Sequence, residues 1–299
     1  MTPKNKIHIP VMLKEVLEHL APEPGKRYID ATLGAAGHTL AILETGATVL
    51  GIDRDQEIIE IATDKIKEAG LSTNFTTLRG SFADLLQPSR SDLVGSDYDG
   101  ILFDLGVSSY QLDTPERGFS FRFDAPLDMR MDPENQAVTA ADLINGLGRN
   151  ELVKLFKELS EERYAALLAD VICDARKQNP ITTTLELAEL IESRVKRTGR
   201  LHPATRIFQS LRMAVNTERD ELKAVLPSAL SNLKPGGVII VISFHSGEDS
   251  IVKAQIADWL KEGLIEAGSN LLLTTSSEEA LTNPRSRSAK LRVIRKKVS

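Results

Sequence analysis

Apolar positions along the chain follow two alternating rhythms. Residues 10–20 (PVMLKEVLEHL) carry Val11, Met12, Val16, Leu17 and Leu20 at the three- and four-residue spacing of one helix face. PEPG interrupts that pattern, and RYIDATLG reads as a short strand running into a glycine-rich turn. HTLAILETG predicts a helix and ATVLGIDRD a second strand, while DQEIIEIATDKIKEAG is an amphipathic helix stopped by Gly70. NFTTLRGSF and YDGILFDLG supply a third and a fourth strand. Strands alternating with helices imply a parallel sheet with helices on both faces.

The rhythm then changes. Leu152, Leu155, Phe156 and Leu159 share a helical face, as do Tyr164, Leu167, Leu168, Val171, Ile172 and Ala175. TTTLELAELIESRV opens with a capping-box pattern, Thr183 to Glu186. From about 139 to 197 the pattern predicts helices with no strand between them. Alternation resumes with a helix in TERDELKAVLPSALSNL, a fifth strand in KPGGVIIVISF, a helix in EDSIVKAQIADWL, and two terminal strands in SNLLLTT and AKLRVIRKK. The expected architecture is one α/β domain, residues 1–110 and 204–299, with a loop and all-helical domain, residues 111–203, inserted after the fourth strand.

One stretch fits neither rhythm. Residues 103–132, FDLGVSSYQLDTPERGFSFRFDAPLDMRMD, hold four of the nine Phe among six acids and three Arg. Long irregular loops in compact domains are usually functional or disordered, and disordered segments are poor in aromatics.

IDATLGAAGH follows a strand and opens a helix, so its backbone can approach a ligand closely at Gly34 and Gly37 and its unpaired N–H groups face the turn. Asp53 ends the second strand, 19 residues after Gly34, where an acid can accept hydrogen bonds from both ribose hydroxyls of a nucleoside. Ala36 and Thr39 stand where a pyrophosphate-binding G-x-G-x-x-G/A would have small residues, so the pattern fits a nucleoside ligand without phosphates, such as S-adenosylmethionine. The same residues would also serve as a tight turn and a helix N-cap. Phe82, in GSFADL after the third strand, is placed to stack on an adenine or to fill the core. LKPGGVIIVISF resembles the fifth-strand signature of Rossmann-like methyltransferases.

Composition narrows the partners. Apolar content of 41% and charged content of 26% are those of a globular protein. No apolar run approaches the roughly 18 residues of a membrane span. MTPKNKIHIPVMLKEVLEHL has no signal-peptide hydrophobic region, and a cytoplasmic protein is the expectation. The single Cys173 excludes an internal disulfide framework, and no His-x-x-x-His pair points to a metal. Net charge is -5, yet PRSRSAKLRVIRKKVS holds seven Lys/Arg and SRVKRTGRLHPATRIFQSLR six, with no acid in either. Such runs are a phosphate-binding footprint or an ordinary solvated face.

HIPVMLKEVL, DATLGAAGHT, GIDRD, the 103–132 stretch, HPATRIFQSLRMAVN, PGGVIIVISFHSGEDSIVK and NPRSRSAKLRV occur in that order. Together they resemble the bacterial small-subunit (16S) ribosomal RNA cytosine-N4 methyltransferase family, also called MraW, over nearly the whole chain. The resemblance implies a Rossmann-like class I methyltransferase sheet with an inserted helical substrate domain. It implies S-adenosylmethionine held by Ala36, Gly37, His38, Asp53, Phe82, Asp104 and Gln111, and a cytidine in the decoding region as substrate. The chain departs from the family pattern at Ala36 (usually Gly), at Gly247 (usually Leu) and in ELSEERYAALLADVICDAR, which is poorer in Arg.

Methyl transfer to an exocyclic amine requires positioning above all. Asp104, where the fourth strand ends, is the expected catalytic residue, orienting the amine, the cofactor's amino group or both. Attack through ring carbon 5 would require a Cys nucleophile, and Cys173 sits within a helical pattern, which favours nitrogen. Tyr110 and Phe123 are expected to stack on an extruded base, with Phe119 and Phe121 more structural; Arg117 and Arg130 are expected to bind phosphates or to pair with the loop's own acids and order it, and His202 and Arg206 to line the RNA cleft. His8 and His245 are placed near the cleft by their motifs. The alternatives are a non-catalytic assembly factor that keeps the fold and a nucleotide-dependent oxidoreductase. The expected partner is small-subunit rRNA, with no membrane contact and a monomer or homodimer as the state.

Overall fold

The computed structural model describes residues 10–197 and 202–298. The chain begins with α1 (Leu13–Leu20), β1 (Arg27–Asp30), α2 (Gly37–Leu43), β2 (Thr48–Asp53), α3 (Gln56–Glu68), β3 (Phe75–Arg79), α4 (Phe82–Leu85), α5 (Ser91–Val94) and β4 (Tyr98–Asp104). Six helices follow: α6 (Ser109–Asp113), α7 (Ala140–Gly146), α8 (Arg149–Ser160), α9 (Ala165–Ala175), α10 (Thr184–Glu192) and α11 (Thr205–Val215). The chain then continues through α12 (Glu218–Asn232), β5 (Leu233–Ser243), α13 (Ser246–Glu262), β6 (Leu271–Thr274), α14 (Ser277–Thr282) and β7 (Lys290–Arg295).

The chain divides into two compact units. One holds the described residues up to Gly106 and those from Arg219 on; the other is Val107–Glu218. The boundaries differ from the expected 110 and 204. Ala204, Ile207, Phe208, Leu211 and Val215 bury their side chains in the helical unit's core, and Val107 packs against it. The apolar face of α11 therefore carries this segment into the helical unit.

In the sheet unit the strand order is β3-β2-β1-β4-β5-β7-β6. β1 to β5 run parallel, and β7 lies antiparallel between β5 and β6. This is the Rossmann-like methyltransferase arrangement. The near-continuous apolar runs of β4 and β5 follow from burial on both faces. Ile29, Ile101, Phe103, Ile239 and Val241 point to a core shared with α12 and α13. Tyr28, Leu102, Val238, Ile240 and Ile242 point to the opposite core, shared with α1, α2 and α3. Each fully buried Val, Leu, Ile or Phe contributes about 1.5–3 kcal/mol of hydrophobic stabilisation.

The helical unit has its own core, built from α7 to α11 and from Phe119, Leu127 and Met129 of the long loop. The Thr183–Glu186 capping box is present at the start of α10. On α9 the sequence stripe is wider than the buried face: Leu168 and Ile172 are buried, but Tyr164 and Leu167 are exposed.

Residues 107–139 are ordered by contacts distant in sequence. Asn216 donates from Nδ2 to the Met129 carbonyl at 2.8 Å and accepts from the Met131 amide at 2.9 Å. Thr184 donates its hydroxyl to the Phe123 carbonyl at 2.7 Å and accepts from the Ala125 amide at 3.1 Å. Gly118 has φ +71°, and a Cβ there would run into the Pro126 carbonyl and lie 2.6 Å from the Asp128 nitrogen. Only glycine meets both conditions without strain.

Candidate active site

Parallel α/β sheets bind ligands at the carboxyl ends of their strands, where the strand order reverses. Here the chain winds outward from β1 to β2 and β3, then returns to β4 and β5 on the other side of β1. The reversal lies between β1 and β4. The turn after Asp30 and the end of β4 at Asp104 therefore face one crevice of the sheet unit.

Asp53 ends β2 and is tied to the glycine-rich turn. Its Oδ2 accepts from the Gly34 amide at 3.0 Å and its Oδ1 from the Asp55 amide at 3.0 Å. Each carboxylate oxygen has acceptor capacity left for a further donor. Burial pushes its carboxyl up to about 6, against the two amide bonds that stabilise the ionised form. The Gly80 amide donates to the Asp53 carbonyl, which joins the third strand's exit to the second. Phe82, two residues on, is half-buried and meets Phe103 edge-on with centroids 5.6 Å apart. It packs on the core and keeps part of its ring exposed, whereas Asp84 is exposed.

Ala36 is left-handed at φ 62° and ψ 25°, and its methyl is fully buried. That conformation favours glycine, so the Ala36 departure carries strain. Gly37 differs from its expected role. A Cβ there would lie 2.5 Å from Pro10 Cγ, so its missing side chain makes room for the segment before α1 rather than for a ligand.

His38 and Asp104 carry the strongest mark of a polar ligand. The His38 imidazole is 5% exposed, and its Nε2 lies 3.5 Å from Asp104 Oδ2. Both His38 nitrogens and Asp104 Oδ1 are buried without a hydrogen-bond partner among the described residues. Buried polar groups in folded proteins are almost always satisfied, so these three atoms are what a bound polar ligand would complete. With the Asp53 carboxylate and the left-handed turn, they fit a nucleoside carrying amino-acid groups.

Behind them stand residues that the sequence reading passed over. Asp30 is 1% exposed and accepts from the Thr39 hydroxyl at 2.6 Å and the Thr32 amide at 3.3 Å. Thr32 Oγ1 in turn accepts from the Asp104 amide at 2.7 Å. A charged residue closing an apolar strand just before a glycine turn was the available signal. His245 accepts from the Glu248 amide at the N-cap of α13, and its buried Nε2, 3.0 Å from Glu248 Oε1, also has no hydrogen-bond partner among the described residues. His8 lies outside the described residues.

The remaining expected residues belong to the helical unit. Gln111 is buried, and its Oε1 accepts from the Ser108 amide at 3.0 Å in a capping box at the start of α6. Tyr110, in the same helix, is half-buried. Arg117 is 9% exposed and donates from Nη2 to the carbonyls of Arg130 and Met131 at 3.1 and 3.2 Å, which makes it a loop-ordering residue rather than a phosphate contact. Arg130 forms a two-pronged pair with Asp128 at 2.7 Å and donates to the carbonyls of Pro133 and Gln136. Arg206 donates to the Glu161 carbonyl at 2.7 Å at the end of α8. His202 stacks at 4.8 Å on Phe121 and accepts from the Ala204 amide. Phe119 is buried and Phe121 packs on the core, as expected, while Phe123 is 49% exposed.

The sequence profile of the MraW methylase family matches residues 5–297. A ribosomal RNA small subunit methyltransferase H of Pelobacter propionicus is 42% identical over 312 residues, covering 97% of this chain and 98% of that one. The like-named protein of Gloeothece citriformis is 47% identical over 296 residues, covering 97% and 94%. That of Deinococcus deserti is 44% identical over 298 residues, covering 99% and 96%.

Proposed function

Since the chain belongs to the MraW methylase family and is an S-adenosylmethionine-dependent ribosomal RNA methyltransferase, we propose that it methylates the exocyclic N4 of a cytidine in the decoding region of 16S rRNA. The observation that carries this reading is the crevice at the strand-order reversal, where Asp104 and His38 present buried polar atoms that no described residue hydrogen-bonds, with a ribose-competent Asp53 tied to the same turn through Gly34.

S-adenosylmethionine supplies a methyl group on a positively charged sulfur, which the acceptor nitrogen must approach in line. The chain's own residues hold and orient. Within the sheet unit Asp53 would accept the ribose hydroxyls, Phe82 would lie against the adenine, and the Ala36–His38 turn with Asp104 would complete the cofactor set, whereas the Gln111 side chain is taken up by the cap of α6. Asp104 accepts a hydrogen bond from an amine, either that of cytosine or that of the cofactor. An acceptor on the cytosine amine restrains its rotation and stabilises the charge that builds on nitrogen as the new bond forms.

Nitrogen as the target has support from the cysteine count. Attack through ring carbon 5 requires a thiol nucleophile, and the one cysteine, Cys173, lies in the last turn of α9 in the helical unit. The helical unit is the proposed substrate domain. Phe123, with its backbone fixed by Thr184 and its ring exposed, is the stacking surface of choice, and Tyr110 the second. His202 is a weaker contributor, since its ring already stacks on Phe121, and Arg117, Arg130 and Arg206 shape the unit that presents these rings. No described helix is long and apolar enough to cross a membrane, and work in the cytoplasm on small ribosomal subunits is part of the proposal.

The test is transfer of a labelled methyl group to small subunits lacking the modification, followed by digestion to nucleosides. Label in N4-methylcytidine is expected. Label in any other nucleoside would reject the assigned atom.

A further inference from the structure

β1 and β4 part company at the site. Their pairing ends at Asp30↔Leu102, two residues before Asp104. Beyond that point the chain after β1 turns away into the Gly34 turn, while β4 continues to Asp104. The Asp104 amide still needs an acceptor. It finds one in a side chain, the Thr32 hydroxyl at 2.7 Å.

Thr32 is itself held. Its amide donates to Asp30 Oδ1 at 3.3 Å, and the other oxygen of the same carboxylate takes the Thr39 hydroxyl at 2.6 Å. Thr39 follows His38 in the first turn of α2. A single buried carboxylate therefore ties the helix that carries His38 to the turn that fixes Asp104. The chain of bonds runs Thr39 to Asp30 to Thr32 to Asp104. Burying a carboxylate is costly unless it is fully hydrogen-bonded, and burial raises the Asp30 carboxyl above its ordinary range. A structural role alone could be filled by an apolar strand end. A carboxylate and a hydroxyl linking the two functional side chains place them for a ligand.

We propose that Thr32 and Asp30 are positioning residues for methyl transfer, Thr32 fixing the backbone from which Asp104 projects and Asp30 fixing Thr32 and the His38 turn together. This inference rests on the reading that Asp104 serves the chemistry. Thr32→Val keeps the shape and removes the acceptor, Thr32→Ser keeps the acceptor, and Asp30→Asn keeps an acceptor oxygen for the Thr32 amide while its Nδ2 donates to the Thr39 hydroxyl, which reverses that bond and removes the charge.

The experiment is a double-mutant cycle on the single-turnover rate of labelled methyl transfer to small subunits, with thermal stability measured alongside. Thr32→Val is expected to slow transfer about tenfold in the wild-type background, because small misplacements of reacting groups cost rate. In an Asp104→Ala background it is expected to have under about a twofold effect, since what it positions is gone. Thr32→Ser and Asp30→Asn should restore most of the rate, and Asp30→Ala should not. Should Thr32→Val fail to fold, Thr32→Ala carries the same cycle. Equal slowing by Thr32→Val in both backgrounds, or none in wild type, would overturn the proposal. A full rate in Asp104→Ala alone would instead overturn the role of Asp104, a separate failure.

Discussion

The two units of this chain treat their polar side chains differently. In the sheet unit Asp104 and His38 converge at a strand-order reversal with buried polar atoms that no described residue satisfies. In the helical unit the side chains with the most obvious chemistry are already occupied: Arg117 and Arg130 by loop carbonyls and Asp128, Arg206 by the end of α8, Gln111 by a helix cap. An unsatisfied buried group marks a ligand site, and a satisfied one marks architecture. The difference separates residues built to bind from residues built to hold the surface that binds.

The contrast can be broken at its firmest architectural point. Gly118→Ala puts a Cβ against the Pro126 carbonyl at a left-handed position, and a loss of about 3 kcal/mol is expected in unfolding of the helical unit. Denaturant melts should show it, with cofactor affinity unchanged. Loss of cofactor binding alone would make the loop part of the cofactor site instead.

Asp53→Ala should weaken cofactor binding by about tenfold to a hundredfold, the worth of hydrogen bonds to a charged acceptor. Its pH dependence sharpens the assignment. In the proposed site it is the ionised carboxylate that accepts the ribose hydroxyls, and burial pushes its carboxyl up to about 6. Affinity should therefore be flat above neutral pH and fall as pH drops through 6, because protonation removes an acceptor. Calorimetric titration from pH 5 to 8 checks this, and Asp53→Asn should abolish the dependence.

Phe123→Ala should raise the KM for RNA about tenfold, the usual worth of one stacked base, with little change in stability because the ring is half exposed. An unchanged KM would leave the helical unit without its principal contact. The smallest effect is expected at Ala36. Ala36→Gly relieves a left-handed backbone but removes a buried methyl, so stability should change by no more than about 1 kcal/mol, with cofactor binding retained.

The strands and helices of the sheet unit were legible because their burial is periodic; the Gly34 turn and Asp53 were read as a nucleoside site from their spacing, and the family resemblance added His38 and Gln111 as expected cofactor contacts. The roles of three features were not legible. Gly37 makes room for Pro10, 27 positions away, and local sequence holds no trace of that contact. The 103–132 stretch has no periodicity because Asn216, Thr184 and Gly118 order it rather than a repeating apolar face. Asp30 and Thr32 read as the end of a strand, and their function emerges only when β4 is placed beside β1. Arginines among acids look alike in sequence whether they bind phosphate or their own loop.

The central claim is that the chemistry rests on the carboxylate at the end of β4. The direct test is single-turnover methyl transfer by Asp104→Ala at saturating cofactor, with RNA affinity measured on the same preparation. The account predicts a rate lower by about a thousandfold, within the range for a residue that acts on the reacting group, and RNA affinity within about threefold of wild type. A rate near wild type with RNA binding lost would contradict it and remove Asp104 from the reaction.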